Sequence, residues 1–346
     1  MTSIKSRLGM GGGRATQKTW TRAKVLKKLR TIGMWTFRYI LIICLMYMIL
    51  YPLLRMVANA IVHPHHINAV GSFWIPARMS FDNFIVAWHV MNFIPVLLFT
   101  MLFITIMMLL QLANAAFAGY AFARLRFWGS SIIFVLVLLT VVVPTQAFFF
   151  PQFIMFRNFD VFGIFNLVLG GPINLLGRPA AMYLMAGLGQ GLAGGIFIYI
   201  FRQFFRGLPK ELEEAAYVDG AGVLRTFFTI VIPMAKPAFL TVGTLSFIWN
   251  WNDSWFQSVF HPYDMYMRVR IATLNAPGGG GVSRMQANID MIRGRLPDDI
   301  YVLTTLPYDN VILSVANLLS ILPLVLLFLI IQRQFVQGVE RSGIVG

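Results

Sequence analysis

Cysteine occurs once in the 346-residue chain, as Cys44 inside an apolar run. A lone thiol forms no internal disulfide, and no cysteine–histidine spacing suits a metal site, so neither metal nor cofactor is expected. Charge is scarce as well. Only 12% of the residues are Asp, Glu, Lys or Arg, against about 25% in soluble domains. With 58% hydrophobic residues, this excludes an ordinary water-soluble domain and makes lipid the solvent for most of the chain. Acidic residues are missing altogether before Asp82, whereas Lys5, Arg7, Arg14, Lys18, Arg22, Lys24, Lys27, Lys28, Arg30 and Arg38 precede or open the first apolar run. Such a block beside a transmembrane segment stays in the cytoplasm and attracts anionic headgroups. Despite the net charge of +15, the motifs that read nucleic acid are absent.

Other absences narrow the chemistry. The "GGGG" of residues 278–281 is not followed by Lys-Ser/Thr, so it is a flexible hinge rather than a phosphate cradle, and no nucleotide-binding loop occurs elsewhere. Apart from Asp253 the apolar segments contain almost no titratable side chain. No nucleophile–base constellation is visible, which argues against a membrane-embedded enzyme. A membrane sensor without flux is the other non-transport reading. "VANA" (residues 57–60) resembles a cleavage site, but the apolar run before it is too long for a signal peptide. A retained first span is expected over a signal peptide or an organelle transit peptide.

What is present is six segments able to cross the bilayer, near residues 35–61, 93–122, 131–153, 181–205, 233–260 and 310–332. The expected fold is all-α, a multi-pass transmembrane bundle of six spans with a kink at Pro144. Lys and Arg fall in the short loops (Arg124, Arg126; Arg202, Arg206, Lys210, Arg225; Arg333, Arg341), which puts both termini in the cytoplasm. The organisation expected is a basic leader (1–34), a first span with its outer loop (35–92) and a core of five spans (93–346). That core has an inner loop at 209–233, an outer loop at 261–309 and a cytoplasmic tail at 333–346. Gly191 and Gly195, four apart in the glycine-rich fourth segment, either permit close helix approach or reflect ordinary membrane composition. "HPHH" (residues 63–66) is read as an exposed loop rather than a metal or pH site.

The inner loop is the informative stretch. In "LEEAAYVDGAGVLRTFFTIVIP" (residues 212–233), Pro209 suits a first helical turn. Glu211, Glu213 and Glu214 then lie at the positive end of the helix dipole, each worth about 0.3–1 kcal/mol. Gly220 and Gly222 interrupt the helix, and a second helix follows, with Pro233 expected to begin the fifth span. A small Ala215–Ala216 patch beside exposed carboxylates suits docking into a groove on another protein.

Glu214-Ala215-Ala216, three residues, Gly220, nine residues, then Ile230-x-Ile232-Pro233 resembles the EAA motif of ABC-importer permease subunits. Ile232 stands where that family usually has Leu. "AGYAFARLRFWG" (residues 118–129), "FIWNWNDSWF" (residues 247–256) and "QRQFVQGVERSGIVG" (residues 332–346) are similar to stretches of its carbohydrate-uptake, maltose-type members. The resemblance covers about residues 90–260 and 305–346. It implies a type I ABC importer permease fold in a bacterial or archaeal cell membrane. It also implies a second permease subunit as partner (a heterodimer), two ATPase subunits and an extracytoplasmic solute-binding protein.

The resemblance further implies a coupling set of Glu213, Glu214, Ala215, Ala216, Asp219, Gly220, Ile230 and Pro233. Within it Glu214 pairs with a basic ATPase residue, and Ala215 and Ala216 pack in the ATPase cleft. Gln332, Arg333 and Gly338 would lie in a tail that reaches toward the ATPase. Asn250, Asn252, Asp253 and Trp255 are candidates for the substrate path, because polar side chains at membrane depth normally face a cavity or partner. Trp249, Trp251 and Trp255 could equally form an interfacial aromatic belt. The expected cargo is a carbohydrate, an oligosaccharide first, with a glycerol-phosphate compound or a peptide as alternatives.

Overall fold

A computed structural model describes residues 22–67, 76, 78–191, 193–261, 265–274, 276, 284–300, 302–303 and 305–343. The leader to residue 21, "GGGG" and residues 344–346 lie outside them. In chain order the helices are α1 (Arg22–Ala60), α2 (Asp82–Met91), α3 (Phe93–Arg124), α4 (Ser130–Val142), α5 (Phe149–Arg157), α6 (Ile164–Leu169), α7 (Ala180–Gly187) and α8 (Gly194–Arg206). They continue with α9 (Glu211–Val218), α10 (Val223–Thr226), α11 (Ile232–Met234), α12 (Lys236–Asn252), α13 (Trp255–Phe260), α14 (Met267–Leu274), α15 (Arg284–Ile292) and α16 (Leu306–Gly343). Extended pairing among the described residues is limited to two isolated bridges, Val62 with Met79 and Phe159 with Ile173. The all-α expectation therefore holds.

The described residues fall into two compact units, one ending at Arg55 and the other beginning at Met56. The first is most of α1, a 39-residue helix rich in Leu, Ile, Met and Tyr, long enough to cross a bilayer.

In the second unit, α3 is the central rod, and two apolar clusters lie along it. At one end α2, α7, α13, α14, α15 and α16 pack against the first half of α3 and the end of α12. Asn83 is buried there, and its Nδ2 donates to the carbonyls of Ala60 at 2.9 Å and Val62 at 2.7 Å. At the other end Ala115, Ala116 and Tyr120 of α3 pack against Phe197, Phe201 and Phe205 of α8, Phe227 and Val231, and the start of α12. The close fit of α3 and α8 rests on Gly119. A Cβ there would lie 2.6 Å from the Cβ of Phe201 and 3.0 Å from the backbone N of Arg202.

Several expected spans are not single helices. Among the described residues, three helices (Leu26–Ala60, Phe93–Arg124, Pro307–Gln332) are individually long and apolar enough to cross a membrane, and two bent pairs raise that number to five. The third segment breaks at Pro144, where the expected kink becomes a sharp turn between α4 and α5. The fourth segment is not continuous. It consists of α7 and α8, eight and thirteen residues long, separated near Leu188–Ala193. Glycines make that break possible: Gly189 has φ +78°, and a Cβ on Gly194 would collide with the Gly189 carbonyl oxygen. Gly191 and Gly195 do not share one helix face. Gly191 lies in the break against the Gln111 carboxamide, and Gly195 abuts the Val137 carbonyl of α4.

The fifth span starts at Lys236 rather than Pro233, after a 78° bend, and stops at Asn252, short of Phe260. The segment after residue 261, expected as an outer loop, is no mere loop, because α14 and α15 contribute buried residues to the first cluster. The sixth segment and most of the expected tail form the single helix α16.

Candidate functional site

At the end of α3, the chain leaves α8 through Gly207, Leu208 and Pro209 and enters α9. Glu211, Glu213 and Glu214 occupy its first turn, where the unpaired N–H groups favour negative charge. They do not all face outward as expected. Glu213 is only 5% exposed, and its Oε1 accepts a 2.7 Å bond from Nε of Arg124, the last residue of α3. The second oxygen, Oε2, accepts from the Tyr120 hydroxyl at 3.0 Å, one turn back along α3. Arg124 also donates from Nη2 to the Leu208 carbonyl at 2.7 Å.

The alanines divide in the same way. Ala216, three residues after Glu213, faces inward, while Ala215 is exposed with Glu211, Glu214 and Asp219. The outward face also carries Val218 at 88% exposure and, beyond the bend, Leu224 at 67%.

Helix α9 ends in a Schellman motif. The N–H of Ala221 donates to the Ala216 carbonyl at 2.9 Å, and the N–H of Gly220 to the Tyr217 carbonyl at 3.1 Å. Gly220 takes φ +80° with open space around it, so glycine is needed there for its backbone and not for packing. The second helix runs from Val223 to Met234 as α10, a π-helical stretch over Phe227–Val231, and α11. Pro233 lacks the N–H that an α-helix would aim at the Thr229 carbonyl, and the turn before it widens accordingly. Pro233 is exposed and Ile230 half-buried, while Phe227 and Val231 fill the cluster against α3 and α8.

Nearer the middle of α3, Gln111 organises a second polar cluster. Its Oε1 accepts from Ser246 Oγ at 2.5 Å and from Asn250 Nδ2 at 2.9 Å, both on α12. The Asn250 carbonyl accepts from Gln257 Nε2 at 2.8 Å, and one turn further along α3 Asn114 Nδ2 donates to the Gly187 carbonyl at 2.9 Å.

The four substrate-path candidates separate here. Asn250 is 2% exposed and, with Asp253, Gln190, Gly191 and four apolar side chains, lines a cavity of about 20 Å³. That is room for about one water molecule rather than a sugar ring. Asn252 lines an open groove of about 390 Å³ with Ala193, Ile196, Trp249 and, on this side as well, Asp253, within the range of small-ligand sites. Trp255 is half exposed and meets Phe149 edge-on, with ring centroids 6.2 Å apart.

Gln332, Arg333 and Gly338 all lie on α16. In "HPHH", the rings of His63 and His65 stack at 5.4 Å. Burial, then the Arg78 charge, lowers the His63 pKa from 6.5.

Sequence reasoning used Arg124 only as a topology marker and passed over Tyr120, Gly119 and Gln111. Two amides, Gln111 and Asn114, inside a 30-residue apolar run are themselves a signal of buried polar contacts.

Apolar helices, several of them broken, carrying a bent, glutamate-led helix pair at one end define a multi-pass membrane transport subunit. The chain belongs to the family described as "Binding-protein-dependent transport system inner membrane component", which matches residues 115–341. The expected identity as an ABC-importer permease subunit is thereby met, and a binding protein and an ATPase are the partners that membership implies.

Named relatives are consistent with it. The chain is 27% identical to the melibiose/raffinose/stachyose import permease protein MelC of Bacillus subtilis over 80% of this chain and 85% of MelC. It is 26% identical to the arabinooligosaccharides transport system permease protein AraQ of Halalkalibacterium halodurans over 93% and 98%. To the sn-glycerol-3-phosphate transport system permease protein UgpE of Yersinia enterocolitica it is 26% identical over 90% and 97%. The fold resembles a chain in the crystal structure of a bacterial ABC transporter involved in the import of the acidic polysaccharide alginate. That match has a TM-score of 0.67 and 18% identity, and covers 92% of this chain and 99% of that one.

Proposed function

We propose that the chain forms half of the translocation pathway of an ATP-driven importer for a carbohydrate, an oligosaccharide first. It works beside a second, related permease subunit, above two ATPase subunits and beneath an extracytoplasmic solute-binding protein. The observation that carries the coupling half of this reading is the outward face of α9. Glu214, Ala215, Val218 and Asp219 are exposed together on a short helix closed by Gly220. That surface suits a cleft with a basic residue opposite Glu214, where a charge-assisted hydrogen bond is stronger than a neutral one. Ile230 and Pro233 belong to the second arm of the bend, and Gln332, Arg333 and Gly338 to the helical end that would approach the ATPase.

For the cargo, the relatives named for melibiose, raffinose and stachyose and for arabinooligosaccharides favour a glycoside. In the groove beside α12, Asn252 and Asp253 would meet sugar hydroxyls, with Trp249 offering a ring face; Trp255 is not among the residues that line it. The relative named for sn-glycerol-3-phosphate supports a second reading, a small phosphorylated polyol. In this assignment both termini are cytoplasmic, and the six crossings count the broken α7–α8 segment as one. The divisions at residues 34 and 92 separate leader, first span and permease core.

One experiment tests cargo and coupling together. The assembled transporter is purified with its binding protein, and the ligand retained by that protein is identified. ATP hydrolysis is then measured with and without the loaded binding protein. A retained oligosaccharide, with stimulation removed by Glu214→Ala, is the expected result. A retained polyol phosphate selects the second reading, and full stimulation in Glu214→Ala ends the coupling assignment.

A further inference from the structure

The two carboxylates that open α9 do different things. Glu214 is exposed. Glu213, its neighbour, is turned into the bundle and held by both Tyr120 and Arg124. We infer that Glu213 is a positioning residue: with Arg124 and Tyr120 it forms the joint that passes movement of α9 into α3, separate from the surface that docks on the ATPase. The inference rests on the reading above, in which α9 is the docking helix.

Three observations carry it. First, the joint is chemically unlike its surroundings. The Arg124 and Glu213 side chains are each 7% exposed, beside Tyr120, whose ring packs on Phe205 and Phe227. A buried ion pair is a poor device for stability alone, because desolvation offsets most of its attraction and apolar side chains of the same volume serve as well. It is a good device for fixed geometry, because a carboxylate held at both oxygens by two donors on one helix cannot swivel.

Second, the joint gathers three elements at one point. Arg124 ends α3, its Nη2 holds the Leu208 carbonyl in the connection from α8, and its Nε holds Glu213 on α9. A push on α9 is therefore delivered to the end of α3 and to the foot of α8 together.

Third, α3 is placed to relay it. It is an unbroken 32-residue helix. About 9–20 Å along its axis from Tyr120 and Arg124, at 1.5 Å per residue, Gln111 and Asn114 hold α12 and the end of α7 by side-chain hydrogen bonds. By contrast, the broken segments α4–α5 and α7–α8 can bend before they transmit. A rigid element pinned by polar contacts at both ends is the kind of contiguous network that carries coupling between sites.

The test uses the full transporter with its binding protein, reconstituted in liposomes. Two quantities are read for each variant: ATPase retained on purification, and substrate imported per ATP hydrolysed. For Glu213→Gln and Arg124→Gln the ATPase should remain bound, while import per ATP falls about tenfold, inside the roughly 5- to 150-fold range ordinary for coupling between two sites. The exchange Glu213→Arg with Arg124→Glu should restore part of the loss, since it returns the ion pair but a carboxylate at position 124 cannot donate to the Leu208 carbonyl. Tyr120→Phe, which removes the hydroxyl that meets Glu213 and Tyr217 and no charge, gives a smaller loss and carries the test should the charge variants fail to assemble.

Wild-type import per ATP in these variants overturns the inference. So does loss of the ATPase from Glu213→Gln to the extent seen in Glu214→Ala, since Glu213 would then belong to the docking surface. Failure of the wild-type chain to retain any ATPase is a different result: it removes the docking reading on which the joint depends.

Discussion

Glu213 and Arg124, 89 residues apart in the chain, meet at 2.7 Å with both side chains almost fully enclosed. Removing one partner of such a pair leaves a buried charge uncompensated, which costs about 3–5 kcal/mol. Glu213→Ala is therefore expected to lower the thermal unfolding midpoint of the detergent-purified chain markedly. Glu213→Gln also leaves the guanidinium uncompensated but keeps the side-chain volume and one acceptor oxygen, so it should lower it less. Equal midpoints for the two variants would contradict the buried pairing.

Gly220 tests the bend. At φ +80° an L side chain costs about 1–2 kcal/mol, and nothing nearby would clash with it. Gly220→Ala should weaken ATPase capture through the reshaped loop, whereas Gly220→Asn, tolerated in left-handed backbone, should retain most of it. The check is co-purification of the ATPase with each variant. If alanine behaves like glycine, the left-handed conformation is not required.

Gly119 tests the approach of α3 to α8. A methyl group there meets Phe201 Cβ at 2.6 Å and backbone beyond it. Gly119→Ala is expected to destabilise by about 1–3 kcal/mol through overpacking, and Gly119→Val by more, both read as thermal unfolding in detergent. Gly171, with open space about it and no left-handed φ, is the control site for the added methyl.

The polar cluster on α3 is tested by contrast. Gln111→Leu takes the Oε1 acceptor from Ser246 Oγ and leaves Asn250 Nδ2 only its bonds to Ser246, at about 1–3 kcal/mol for a stranded buried group. Asn252→Ala removes only an exposed bond to the Ile248 carbonyl of its own helix, so a change within about 0.5 kcal/mol is expected. Its effect should appear in transport, because Asn252 borders the open groove. Unfolding midpoints and import rates, measured side by side, separate the two.

His261 supplies a pH signature. Burial against Phe99 and Tyr266 lowers its pKa from the ordinary 6.5. The unfolded chain therefore takes up a proton before the folded one does. This contribution to stability is complete above pH 6.5 and is lost as the pH falls below it toward the lower folded value. An unfolding series from pH 7.5 to pH 5 should decline more steeply for the wild type than for His261→Gln. Parallel curves would show that His261 is not the group responsible.

Much of this protein was legible in the sequence because bilayer solvation imposes simple demands. Apolar runs near 20 residues, the basic leader and loop charges, and the helix–bend–helix signature of residues 209–233 follow from local chemistry: a first-turn proline, glutamates at the positive end of the dipole, and a glycine at the helix stop. The bend at Gly220 and the kink at Pro144 were readable for that reason. Pattern misjudged continuity where an apolar run hides a break. The composition of residues 181–205 suits a membrane helix throughout, yet the glycines at 189 and 194 allow a break in the helix that packing against Gln111 and Asn114 selects.

By itself, then, the sequence determined that the chain lives in lipid, which residues build the inner bend and which family pattern that bend follows, since each depends on neighbours within a few positions. Tertiary structure alone decided that Glu213 turns inward while Glu214 stays out, that Arg124 is a buried partner and not a loop charge, and that Gln111 holds α12. Those contacts join residues 89 and 135 to 139 positions apart, and a charge has no preference between water and a distant counter-charge until folding brings the two within reach.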